Sequence, residues 1–290
     1  MSAVKKDREV ISSNISILRK RVCVGEEQLD ISARQLARAI LQSGDKRGPD
    51  EAYETFCRLF ENADHRTKVE ACRQISVCPD FAHQLAQKHL FGYGEPALPG
   101  THGRISYVRN KKNDAAFLAF SERVRSAKAY YCSSFSEACE TVFNNVCEFC
   151  ILPVENDTDG KLYSFYAMID RYELIISDVV YISGDDGADR TGFALVSRGG
   201  CIPKGGGAEY RMEFSIVCEE TVFPESIAYA ARLLGGTVRA VGTQPALYDA
   251  TGNKYYFFVD IDADGVIPMA FYISAEYPRY TPLGLYQLKK

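Results

Sequence analysis

At 290 residues the chain is long enough for two or three domains, and an apolar share of 46% is enough to pack a core in each, which excludes a disordered or fibrous protein. The 34 basic and 38 acidic side chains leave a formal charge of -4, which excludes a basic nucleic-acid surface spread over the whole molecule, so no nucleic-acid partner is expected. No run reaches the roughly 18 uninterrupted apolar residues of a membrane span, and the opening residues are charged throughout with no apolar leader core, so the expectation is a cytoplasmic protein with no membrane contact.

From about Asp7 to Phe91 apolar residues recur at helical spacing, as in Leu36, Ile40 and Leu41 and again in Tyr53, Phe56, Cys57 and Phe60. Gly44, Gly48 and Pro49 break the pattern, which predicts several short helices in a domain over 1–96. The stretch GYGEPALPGTHG from Gly92 to Gly103 then reads as a linker.

Beyond it, short β runs alternate with helices over 103–198. RISYV, a helix from about Asn113 to Arg125, KAYYC, and a helix from Ser134 to Asn144 come first. EFCILPV, a helix from about Gly160 to Tyr172, ELIISDVVYI and GFALVSR follow. This alternation predicts an α/β domain with a largely parallel sheet. A second linker, RGGCIPKGGG from Arg198 to Gly207, precedes a domain over 208–290. There the order is strand (YRMEFSIVC), helix (about Pro224 to Leu234), strand (TVRAVGTQ), strand (KYYFFVDID), helix (about Val266 to Ala275) and strand (GLYQLK). That βαββαβ order is the ferredoxin-like arrangement, with turn chemistry at Asp249, Thr251, Gly252 and Asn253.

Ten cysteines scattered through a chain of this apolar content read as reduced, mostly buried thiols. The tight pair Cys147 and Cys150 is read as strand residues pointing to opposite faces, not as a metal or redox site. His65, His83, His89 and His102 lack the spacing of metal ligands, so no metal and no cofactor is expected.

The segment CSSF from Cys132, a helix, and ILPVENDTDG from Ile151 to Gly160 resemble the first lobe of the prephenate dehydratase family, in which a Ser-Ser turn opens a helix and a Pro-x-Glu-Asn segment closes a strand. The resemblance implies a periplasmic-binding-protein-like α/β lobe with ligand contacts at Ser133, Ser134, Asn156, Asp157 and Thr158. A helix N-terminus offers amide donors to a carboxylate, and strand ends are where open α/β sheets bind ligands. DRTGFALVSR is similar to the family's closing strand with its Thr-Arg-Phe signature, which implies a catalytic Thr191 and a contact from Phe193. Gly192 stands where the family has Arg, and Arg190, two positions earlier, is the nearest cation on that side of a regular strand. Between Ile182 and Thr191 the family inserts a second lobe, whereas this chain has the eight residues SGDDGADR, room for a turn and no more.

YYFFVDIDADG from Tyr255 to Gly265 and LGLYQL near the end resemble the ACT domain that follows the catalytic domain in that family and binds phenylalanine. The family's ligand segments fall on PESI at Pro224 to Ile227 and on GTQP at Gly242 to Pro245, which implies contacts from Glu225, Ser226, Thr243 and Gln244. The leading helical domain stands in the place of a chorismate mutase, with Arg19, Lys20, Arg21, Arg34 and Arg38 as its candidate cations. The combined expectation is a homodimeric regulatory protein, non-catalytic or weakly catalytic, that binds an aromatic amino acid or a related small carboxylate. The alternatives are an active dehydratase converting prephenate to phenylpyruvate in L-phenylalanine biosynthesis, a carbon-oxygen lyase, and a structural interaction module.

Overall fold

The computed structural model describes residues 54, 57–58, 60–61, 63–75, 102–184, 189–200, 208–218, 224–245, 252–277 and 279–288. The chain divides into two units, Met1–Phe81 and Ala82–Lys290. In the first, helix α1 (His65–Ile75) is capped by Asp64, whose Oδ1 accepts from the amides of Arg66 and Thr67 at 3.1 Å each and whose Oδ2 accepts from the Thr67 hydroxyl at 2.5 Å. The Thr67 hydroxyl bond, helped by the two amides, holds the Asp64 carboxyl below its ordinary value. Phe60, Val69, Ala71 and Cys72 are buried here. The mutase-like cations, His83, His89 and most of the first linker lie outside the described residues.

The second unit runs β1 (His102–Val108), α2 (Lys111–Ser121), β2 (Arg125–Cys132), α3 (Phe135–Phe143), β3 (Phe149–Asn156), β4 (Gly160–Lys161), α4 (Tyr163–Arg171), β5 (Ile175–Ser183) and β6 (Arg190–Ser197). It continues with β7 (Glu209–Cys218), α5 (Pro224–Leu233), β8 (Gly236–Pro245), β9 (Asn253–Asp262), α6 (Ala263–Glu276) and β10 (Tyr280–Gln287). The ten strands of the described residues belong to one sheet of order β2-β1-β3-β6-β5-β10-β7-β9-β8, with β4 on β3. The stretches 103–198 and 208–290 thus meet edge to edge, β5 pairing parallel with β10 through Ile176 and Gly284.

The largely parallel sheet expected for 103–198 is corrected by the pairing. β6 runs antiparallel to both β3 and β5, and only β1–β2 and β1–β3 are parallel there. The reason is chain length: a parallel return needs a crossover of a dozen or so residues, and the short connection from Ser183 to Arg190 permits only a hairpin. The central strands are buried on both faces, which is why β3 and β6 read as unbroken apolar runs. The outermost strands β2 and β8 are largely exposed.

Buried side chains pack on both faces of the sheet. On one face α3 and α4 cover Cys150, Leu152, Val154, Ile176, Ala194, Val196, Tyr256 and Phe258. On the other, α2 covers Ile105, Tyr107, Phe149, Ile151, Phe193 and Leu195. Cross-strand pairing carries a single row over the α3/α4 face: Tyr130, Ser106, Cys150, Val196, Ile176, Gly284, Glu213, Phe258, Ala240. Glu213 is the only acidic residue in that row.

Candidate functional site

The dehydratase-like residues fall at strand ends, but the pleat divides them between two faces. Thr191 pairs with Asn156 across β3 and with Ile182 across β5, and it shares the α2 face with Phe193. Its buried hydroxyl accepts from the Lys112 ammonium at 3.1 Å, and that ammonium also bonds Asp189 at 2.5 Å. Arg190 lies on the opposite face, where its guanidinium stacks 4.1 Å from the centre of the Tyr181 ring. The edge of that ring rests against Gly192, where an added Cβ would meet Tyr181 at 3.0 Å, so an aromatic edge fills the space beside Gly192.

The remaining residues of this set hold turns. Asp157 accepts from the Arg190 amide at 3.1 Å, while Asn156 accepts from the Asp159 amide and donates to its carboxylate at 2.9 Å. Thr158 is exposed in the β3–β4 turn. Ser134 caps α3 by accepting from the Glu137 amide at 3.1 Å, and Ser133 returns the bond, giving its amide at 2.7 Å and its hydroxyl at 2.6 Å to the Glu137 carboxylate. This is a capping-box exchange shifted by one residue, and the Ser133 hydroxyl, then its amide, hold the Glu137 carboxyl below its ordinary value.

The ACT-like residues divide in the same way. Glu225 and Ser226 open α5, and Thr243 pairs with Tyr255 on the face opposite α4. Gln244 pairs with Lys254 and faces α4, where it lines a cavity of about 1100 Å³. Tyr163, Met168, Asp170 and Arg171 of α4 form one wall, and Tyr256, Lys254, Arg279 and Thr281 belong to the other. Lys254 and Asp170 form an ion pair across it. Burial, with the Asp170 charge nearby, pushes the Tyr256 phenol up to about 12. Tyr163 lies over Gly242 so closely that a Cβ there would fall 1.8 Å from its hydroxyl oxygen. Aromatic rings, both signs of charge and an amide therefore line one space of the size of a small-molecule site.

Beside this cavity, along the junction of β5 and β10, lies a buried polar cluster that motif reading missed. Glu213 is 1% exposed; its Oε1 accepts from the Tyr286 hydroxyl at 2.8 Å and lies 3.8 Å from the Lys161 ammonium. Lys161 also pairs with Glu155 at 2.7 Å and sits 4.6 Å from the centre of the Phe258 ring. Burial works against the Lys161 charge, but the attraction of Glu213 and the bond to Glu155 outweigh it and raise its pKa. The signal was present in YRMEFSIVC: a lone carboxylate between Met212 and Phe214, inside an apolar strand, has to find a buried partner.

The pair Cys147 and Cys150 requires a correction. The strand begins at Phe149, so Cys147 belongs to the turn leaving α3, and both thiols enter one core with Cys132 and Cys139 instead of pointing apart. Burial pushes the Cys132 thiol up to about 11 and raises Cys147. The Cys139 contact and burial raise Cys150 as well. All four are free thiols, and among the described residues no group of three or more His, Cys, Asp and Glu side chains is placed to hold a metal. Among the described residues no helix is long and apolar enough to cross a membrane.

No family model matches the sequence, and no curated protein matches it. Among solved structures, GqqA, described as a novel type of quorum quenching acylase, is similar at 14% identity over 64% of this chain and 95% of that one, with a TM-score of 0.50. The prephenate dehydratase of Arthrobacter aurescens, solved in complex with L-Phe, is similar at 14% identity over 63% of this chain and 89% of that one, also with a TM-score of 0.50. At such identity the likeness concerns architecture and leaves activity open. The chain has a prephenate dehydratase-like fold.

Proposed function

We propose that this protein binds an aromatic amino acid or a related small carboxylate in the cavity between α4 and strands β7 to β10, and that the binding is regulatory. The observation that carries this reading is the composition of the cavity walls. Lys254, Arg171 and Arg279 offer cations to a carboxylate, Asp170 offers an anion to an ammonium group, and Tyr163, Tyr256 and Met168 offer surface to a ring. Gln244, one of the residues the ACT resemblance implies, lies in the same wall. A relative in fold was solved with L-Phe bound, which makes that amino acid a natural first ligand to try. Because α4 follows directly on the strands that carry Glu155 and Lys161, a ligand drawing Lys254 away from Asp170 would act on the neighbouring strand ends. The exposed edge strand β8 is the proposed surface for homodimerisation.

Thermal unfolding with L-Phe, L-Tyr, L-Trp, prephenate and chorismate tests this. A ligand at about 100 times its dissociation constant adds roughly 2.7 kcal/mol to the native state, enough to raise the midpoint by a few degrees. The expected result is a rise with at least one amino acid that is lost in Lys254→Met. No rise with any of the five would defeat the reading and leave the structural interaction module in front.

A second reading, residual dehydratase activity, is favoured by one contact: the Lys112 ammonium on the Thr191 hydroxyl, a cation beside the implied catalytic group. It predicts turnover of prephenate to phenylpyruvate that falls at least a hundredfold in Thr191→Ala, in line with the loss of a positioned polar group. Equal rates in the two proteins would remove Thr191 from any such role.

A further inference from the structure

Behind the inner wall of the cavity proposed above lie buried polar groups that an amino acid with a bare phenyl ring would not use. Strand register orders its floor into rows on the α4 face. Gln244, Lys254 and Val217 form the outer row; Gly242, Tyr256, Ser215 and Thr281 form the next; Phe258 and Glu213 form the innermost. The charged groups belong to the outer row and to the C-terminal end of α4, where Asp170 and Arg171 stand. The tyrosine rings belong to the middle row and to the first turns of α4, where Tyr163 lies 5.2 Å from Tyr256 between ring centres.

Ser215 lies in that middle row between Tyr256 and Thr281, both of which line the cavity, and its hydroxyl is fully buried with no hydrogen-bond partner among the described residues. One row further in, the second oxygen of Glu213 is likewise buried without a partner. The Tyr166 hydroxyl is buried too; it makes no well-formed hydrogen bond and has the Glu213 carboxylate as its neighbour. Buried polar atoms are ordinarily satisfied, so each exception calls for an explanation. Here Ser215 stands in the row of the Tyr256 ring and Thr281 that line the cavity, Glu213 and Tyr166 face each other behind it, and the charged groups stand on the outer side.

We infer that the ligand of this cavity is a small ring acid that carries a hydroxyl on the far side of the ring from its charged arm, in the class of 4-hydroxyphenyl amino acids and 2-oxo acids. The charged arm lies against Lys254 and Arg171, the ring lies between Tyr163 and Tyr256, and the hydroxyl reaches the Ser215 end once those two rings turn aside. This rests on the reading that the cavity binds a ring acid at all. A site built to hydrogen-bond a substrate hydroxyl discriminates strongly against the analogue that lacks it, because its own buried groups are then left unpaired.

Isothermal titration of the full chain with two matched pairs tests the inference: L-Tyr against L-Phe, and 4-hydroxyphenylpyruvate against phenylpyruvate. The hydroxylated member of at least one pair is expected to bind at least about tenfold tighter. Ser215→Ala or Tyr166→Phe is expected to bring that ratio to about threefold or less by weakening the hydroxylated member alone. Equal affinities within both pairs would overturn the inference while leaving the cavity as a ring-acid site. A preference that survives unchanged in both variants would overturn it too, since the hydroxyl would then be read elsewhere. If none of the four compounds binds, the reading of the cavity itself falls and takes this inference with it.

Discussion

Glu213 and Lys161 show how much one inward-facing charge decides. A carboxylate this deeply buried is held by one tyrosine hydroxyl and one ammonium 3.8 Å away, and the ammonium in turn depends on Glu155 at the surface. Removing one member of a buried pair leaves the other charge uncompensated, which costs more than the pair itself contributes. Lys161→Met is therefore expected to lower the unfolding free energy by about 3 kcal/mol, measured by urea titration. A loss below about 0.5 kcal/mol would mean that the Lys161 pairing contributes no more than a surface ion pair. At the same scale, the side chains of the expected site are occupied locally: Ser133 by Glu137, Asn156 by Asp159, Thr191 by Lys112.

Helix α3 illustrates what is settled at the scale of the element. Its N-terminus is closed by the exchange among Ser133, Ser134 and Glu137, and its inner face buries Ala138, Cys139, Thr141 and Val142. The Ser-Ser turn thus has a structural duty whatever else it does. Ser134→Ala should cost about 1 kcal/mol of stability in the same titration, the usual loss for a capping hydroxyl. An unchanged stability would show that solvent caps the helix equally well. Strand parity acts at this scale too: neighbours such as Arg190 and Thr191, or Thr243 and Gln244, are held on opposite faces, so adjacency in sequence separates them in space.

For the whole molecule, the decisive event is the joining of two β-rich stretches through β5 and β10 into one sheet. Several tyrosines are buried on its α4 face as a result. Burial raises the phenols of Tyr166 and Tyr286 well above their ordinary value and Tyr256 to about 12. A phenol whose folded pKa lies above its unfolded value of about 10 holds its proton more tightly in the native state. Its contribution to stability is complete below about pH 10 and is lost as the pH rises through the folded value. Lys161, also raised, acts in the same direction. The urea midpoint is therefore expected to show no loss from these groups at pH 8 to 9 and to fall between about pH 10 and 12. A midpoint indifferent to pH over that range would mean that these rings are solvated in the folded protein.

The sequence by itself determined the elements of the second unit, because periodicity, Gly-rich linkers and capping serines are local properties of the chain. YRMEFSIVC and KYYFFVDID lie within the strands they predict, GFALVSR overruns its strand by one residue, and the eight residues SGDDGADR leave room between β5 and β6 for a turn only. Only the tertiary structure decided that the sheet of 103–198 is mixed, that it continues through β10 into the C-terminal half, and that Cys147 and Cys150 share a core. It alone brought Gln244 and Lys254 to Asp170 across a cavity, while setting Thr243, Glu225 and Ser226 away from it. Pairing between strands distant in sequence, and the face that each residue then presents, depend on register. Register is fixed by contacts between segments, which no single segment encodes.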